Sequence, residues 1–214
     1  MSYIGGLLLS NYRTIKYASS DEYIIKRSRF IGYATPVATQ EQAIEFINSI
    51  KSKHWDATHN VYAYVLKDGQ TRRYSDDGEP QGTAGMPVLD VLLKEELFDC
   101  AVVVTRYFGG IMLGAGGLVR AYSHSAKIAV DASGIIEISL CVNARLKCGY
   151  TFYGRVSSLI SEFGGICANV EYSDEVAVDF KITKCLYDEF EKKLVDLSCG
   201  QVRSTVMSEE YAEL

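Results

Sequence analysis

Apolar residues recur along this chain with two periods, and the switches between them sketch the elements of a fold. Residues 12–17 (YRTIKY) and 22–35 (EYIIKRSRFIGYAT), rich in Tyr, Ile and Phe, predict strands, the second interrupted by Lys26, Arg27 and Arg29. Thr39 followed by Gln42 is a capping-box pattern; it opens a helix striped by Ala43, Phe46, Ile47 and Ile50 that ends near Lys53. VYAYVL (61–66) predicts a strand, and Lys67-Asp68-Gly69-Gln70 a hairpin-type turn. Between 74 and 98 a polar loop packed with Asp76, Asp77, Gly78, Glu79, Pro80, Gly82 and Gly85 gives way to a helix. That helix tolerates Pro87 in its first turn and turns Leu89, Leu92, Leu93 and Leu97 inward.

Ala101–Val104 has the composition of a strand buried on both faces. A loop with five glycines follows (Gly109, Gly110, Gly114, Gly116, Gly117), then a helical pattern with Leu118, Tyr122, Ala126 and Ala129 on one face. IIEISL (135–140) predicts the last strand of an α/β layered domain. Beyond it, CVNARLKCG (141–149) alternates strictly. A helix over 151–163 carries Val156, Leu159, Ile160 and Phe163 and is stopped by Gly164-Gly165. ICANVEY and VAVDFKIT predict strands around Ser173-Asp174-Glu175. A helix over 184–197 is expected to bury Leu186, Phe190, Leu194 and Leu197, and QVRSTVM to close as a strand. This β-α-β-β-α-β order is the ferredoxin-like unit. The expectation is an α+β chain of two domains, 1–140 and 141–214.

A length of 214 residues suffices for a proper core in each part. The net charge of −5, most of it after residue 140, argues against a protein that simply coats nucleic acid but allows a local basic face. Six cysteines with no C-x-x-C pair predict reduced thiols in a cytoplasmic protein. IGGLLLS near the start is too short for a signal sequence, and no apolar run approaches the roughly 20 residues of a spanning helix, so no membrane partner is expected.

Candidate chemistry gathers in the first domain. A glycine loop between a buried strand and a helix start can present N–H groups to an anion, or can simply permit tight packing. It is not a Walker-type loop, because Val119-Arg120 stand where Lys-Ser/Thr would. Arg106 and Arg120 can each hold a phosphate or carboxylate, or can pair internally with the carboxylates of 76–79. Asp76, Asp77 and Glu79 have the density of a Mg²⁺ site as well as that of an ordinary acidic turn. His59 is the candidate general base, whereas His54 and His59 make a weak zinc pair. Tyr62, Tyr64, Arg72, Arg73 and Tyr74 mix aromatics with cations as single-stranded RNA binders do, or are tyrosines bridging core and solvent on a strand.

The run Asp77-Gly78-Glu79-Pro80-Gln81-Gly82-Thr83-Ala84-Gly85-Met86-Pro87 is similar to a signature of the IMPACT/YigZ family. So are Val103-Val104-Thr105-Arg106-Tyr107-Phe108-Gly109-Gly110 and Leu113 through Tyr122, with Ser28-Arg29-Phe30 and His59–Tyr64 beside them. The resemblance covers essentially the whole chain. It implies a first domain like the second domain of a small-subunit ribosomal protein and a second like the last domain of the translocating elongation factor. Eukaryotic relatives regulate translation in amino-acid starvation with help from an extra N-terminal domain. This chain begins directly with the IMPACT-like part, which points to a bacterial member. The resulting expectation is a non-catalytic regulator that binds RNA or a ribosome-associated protein, with no cofactor and no assigned catalytic residue. Its binding face would be Asp76, Asp77, Gly78, Glu79, Gly82, Thr83, Arg106, Gly109, Gly110, Gly114, Gly116, Gly117, Arg120 and His59. The alternative is a Mg²⁺-dependent enzyme acting on a phosphorylated or nucleotide substrate.

Overall fold

The computed structural model describes residues 11–67 and 71–214, together with the backbone of a short ribbon of β1 (Tyr3–Ile4) and β2 (Leu7–Leu8). The chain divides into two compact units, Met1–Glu137 and Ile138–Leu214.

In the first unit, β3 (Asn11–Ile15) precedes β4 (Ser19–Ile25) and β5 (Ser28–Pro36). The interruption expected within 22–35 is the turn of a hairpin. Its cause is local: Lys26 and Arg27 take φ of 46° and 65°, so the chain reverses between them. Then come α1 (Gln40–Lys53), β6 (His59–Val65), β7 (Arg72–Ser75), α2 (Gly85–Lys94), β8 (Cys100–Tyr107) and α3 (Ala115–Ala132). Strands β4 to β8 form one antiparallel sheet in the order β4-β5-β8-β6-β7. The tip of the β6–β7 hairpin, residues 68–70 of the expected turn, lies outside the described residues.

Two cores explain why β8 is apolar on both faces. Ala101 and Val103 pack with Tyr64, Leu66 and the Ala43/Ile47/Ile50 stripe of α1. Val102 and Val104 pack on the other side with α2 and α3, where Leu118, Tyr122, Ala126 and Ala129 all face inward as their spacing predicts. The Thr39 hydroxyl accepts the Gln42 N–H at 3.3 Å to cap α1; the Gln42 side chain answers to the Ala38 N–H, one residue before the cap.

The second unit runs through β9 (Ile135–Cys148), α4 (Tyr150–Glu162), β10 (Ile166–Tyr172), β11 (Val176–Thr183), α5 (Lys184–Leu197) and β12 (Ser204–Ala212). Its antiparallel strands lie in the order β10-β11-β9-β12, the ferredoxin-like arrangement. Two expectations change. Residues 135–140 and 141–149 are not two strands but the single 14-residue β9, because no residue between them interrupts extended backbone. On α5 the inward stripe is Tyr187, Phe190 and Leu194; Leu186 and Leu197 are exposed. All six cysteines are free thiols. Among the described residues no helix is long and apolar enough to cross a membrane.

Candidate functional site

The polar loop after β7 is held by its own carboxylates. Asp76 accepts three backbone N–H groups, from Gly82 at 2.9 Å, Ala84 at 3.1 Å and Gly85 at 2.8 Å. It thereby supplies the start of α2 with the cap that Ala84 lacks. Asp77, at φ 48°, ion-pairs with Lys51 at 2.6 Å and accepts the Asn60 N–H at 2.7 Å. Its carbonyl accepts a hydrogen bond from His59 Nδ1 at 2.7 Å, which leaves Nε2 of a neutral His59 as the lone-pair nitrogen. Thr83 donates to the Pro80 carbonyl at 2.6 Å and closes the turn. Glu79 turns the other way, into the protein, and is 8% exposed. Its Oε1 meets Arg106 Nη1 at 2.5 Å and the Tyr122 hydroxyl at 2.7 Å, with His59 Nε2 at 3.8 Å.

This geometry does not suit the Mg²⁺ site that the alternative reading would need. Each of the three acids is committed to a different set of protein donors, and the described residues contain no group of three or more metal-ligating side chains. The Arg106 question resolves toward the internal pair with Glu79. Arg106 lies between the rings of Phe30 and Phe108, 5.4 Å and 5.3 Å from their centroids, and is 6% exposed. Its Nε, however, is buried with no hydrogen-bond partner. Burial and the neighbouring Glu79 push the Tyr122 hydroxyl well above its usual range, so it stays protonated and donates.

Beside these groups lies a cavity of about 350 Å³, walled by His59, Glu79 and Arg106 on one side and by Phe108, Met112 and the start of α3 on the other. The N-cap Gly114 (φ 73°) has no side chain to satisfy the helix start. Gly117 and Leu118 donate back to the Gly114 carbonyl, which leaves the Ala115 and Gly116 N–H groups without a backbone acceptor among the described residues. Of the residues expected to form a binding face, the structure brings His59, Glu79, Arg106 and Gly114 together around this cavity. Asp76, Asp77, Gly82 and Thr83 build the loop rather than the cavity, and a Cβ on Gly78 would stand 3.4 Å from the His59 ring. Gly109 has an architectural role: a Cβ there would lie 2.1 Å from the Arg27 carbonyl carbon, and its N–H donates to Ser28 Oγ at 3.1 Å. Gly110, Gly116 and Gly117 do not line the cavity, and neither does Arg120, exposed on α3. The apolar wall of Phe108, Met112 and Leu118 was missed. Its only signal was that Phe108 and Met112 are large apolar residues inside a glycine loop, where burial is not expected; Met112 is 85% exposed.

Residues 26–130 match the family model of the Impact N-terminal domain, and residues 146–201 that of a domain of unknown function, DUF1949. The IMPACT family member YvyE of Bacillus subtilis is 39% identical over 195 residues, covering 91% of this chain and 90% of its own. YigZ of Escherichia coli is 34% identical over 188 residues, 86% and 92% of the two chains. The Protein IMPACT homolog of Dictyostelium discoideum matches at 35% over half of this chain and 30% of its own. A crystal structure described as that of a hypothetical protein superposes with a TM-score of 0.60 at 32% identity, over 95% of this chain and all of its own.

Proposed function

Because this chain belongs to the IMPACT family, we propose that it is a cytoplasmic, non-catalytic regulator that binds RNA or a ribosome-associated protein of the translation apparatus. Contact is made where an anionic group of the partner, phosphate or carboxylate, enters the cavity at the start of α3. One observation carries this reading: the buried Arg106 offers an Nε with no acceptor of its own beside a cavity that α3 enters with unpaired N–H groups. Glu79 holds the guanidinium in place, and the ligand oxygen supplies the missing acceptor.

Co-sedimentation with ribosomes at low and moderate salt tests the proposal. Removing Arg106 would strip Glu79 of its counter-charge, so the informative variant is Ala115→Glu. An acid at the first helical position favours the helix yet repels an anion from the cavity. Wild type should pellet in a salt-sensitive manner and Ala115→Glu should stay in the supernatant; equal pelleting refutes the reading. The orientation of His59 favours a second reading, as a general base on a phosphorylated substrate, since its Nε2 lone pair borders the cavity. Turnover of phosphate esters that is lost in His59→Gln would establish that instead.

A further inference from the structure

The aromatic and basic residues of the β6–β7 hairpin take no part in that cavity. Residues alternate along β6, so Val61, Ala63 and Val65 face α2 and α3, while Tyr62 and Tyr64 face α1. Across the hairpin, Tyr64 is paired with Arg73 and Tyr62 with Ser75. Together with α1 they enclose a separate cleft of about 340 Å³ on the opposite face of the sheet, bordered by Gln40, Asn48, Lys51, Tyr62, Tyr64 and Arg73.

The chemistry of this cleft is specific. Lys51 lies over the Tyr62 ring at 5.8 Å and is neutralised by Asp77 at 2.6 Å. Arg73 has no such counter-ion; among the described residues its guanidinium meets only the neighbouring Arg72 carbonyl, at 3.0 Å. Tyr64 is 3% exposed and forms part of the cleft wall. Gln40 and Asn48 bring exposed amide groups from α1 to the rim. An aromatic floor, amides that can donate and accept, a tyrosine hydroxyl and a guanidinium without a counter-ion describe a receptor for a planar heterocycle joined to an anion. We propose that this cleft binds one nucleotide of single-stranded nucleic acid. The base stacks on Tyr62, its edge meets the Tyr64 hydroxyl and the amides, and a phosphate pairs with Arg73. The cleft shares no residue with the Arg106 cavity, and this proposal stands whether or not that one does.

Fluorescence anisotropy of 5′-labelled twelve-residue oligouridylate and oligothymidylate, titrated with the full chain at about 50 and about 200 mM salt, tests it. Wild type should bind at least one of them in a salt-dependent way, tighter binding of oligouridylate assigning the site to RNA. Arg73→Glu, an exposed change that spares the fold, should weaken binding about tenfold or more and flatten the salt slope by about 0.7 for the lost phosphate. Tyr62→Leu should cost about tenfold while Tyr62→Phe keeps affinity, because stacking needs the ring and not the hydroxyl. Lys192→Glu, an exposed change on α5 outside both cavities, should bind as wild type does. Absence of binding, an unaffected Arg73→Glu, or equal competition by duplex RNA overturns the proposal.

Discussion

Glu79 and Arg106 form a buried pair in which each member depends on the other. The carboxylate accepts from Arg106 and Tyr122, both deep in the first unit. Glu79→Gln keeps the shape but leaves the guanidinium without a counter-charge, and breaking a buried pair from one side costs about 3–5 kcal/mol. The midpoint of urea unfolding should fall accordingly, whereas Tyr122→Phe, which removes one hydrogen bond of two, should cost about 1 kcal/mol. His54 makes a second buried circuit. Tyr107 donates to Asp56 at 3.0 Å and accepts from His54 Nδ1 at 2.8 Å, so Nε2 accepts from the Tyr33 hydroxyl at 2.7 Å. This arrangement suits the neutral ring, and burial, more than the nearby Lys53, holds its pKa below 6.5. A folded pKa below the unfolded one gives stability that is complete above about pH 6.5 and declines as pH falls through the folded value. Denaturant titrations between pH 8 and pH 5 should show that decline, and His54→Gln should flatten it.

Elements were more legible than their partners. Periodicity placed every helix within a few residues, because an amphipathic stripe is a property of neighbours in sequence. It could not decide between ligand and Glu79 for Arg106, because that pair joins residues 27 apart through a loop whose path depends on Asp76 gathering three N–H groups. Within 22–35 the charges of Lys26 and Arg27 marked an interruption but not a reversal, because neither is a Gly, Asn or Asp that would announce a positive φ. Nor could spacing reveal why Gly32 lies within β5. A Cβ there would stand 2.2 Å from the Ser125 carbonyl oxygen and 2.9 Å from the Ala129 Cβ of α3. Gly32→Ala should therefore push α3 off the sheet and lower stability by about 1–3 kcal/mol, read as a shifted urea midpoint.

At the scale of the whole molecule, the two units have cores built from different residues. Phe190 is fully buried against Phe163, Phe180 and Tyr187. Phe190→Ala should cost the second unit about 3–5 kcal/mol. Hydrogen exchange should then speed up over β10 to β12 while β5, β6 and β8 keep their protection. Equal loss across both would mean that the units unfold as one.

The strand order β4-β5-β8-β6-β7 also governs how this chain is born. The hairpins β4–β5 and β6–β7 leave the ribosome first, but they do not touch; the strand that joins them is β8, complete only at Tyr107. At about 5–20 residues per second, synthesis from the end of β7 to the end of β8 takes roughly 2–6 seconds. Throughout that interval two apolar hairpins present open edges to the crowded surroundings of a polysome. For this chain, the native sheet cannot close before elongation has delivered β8.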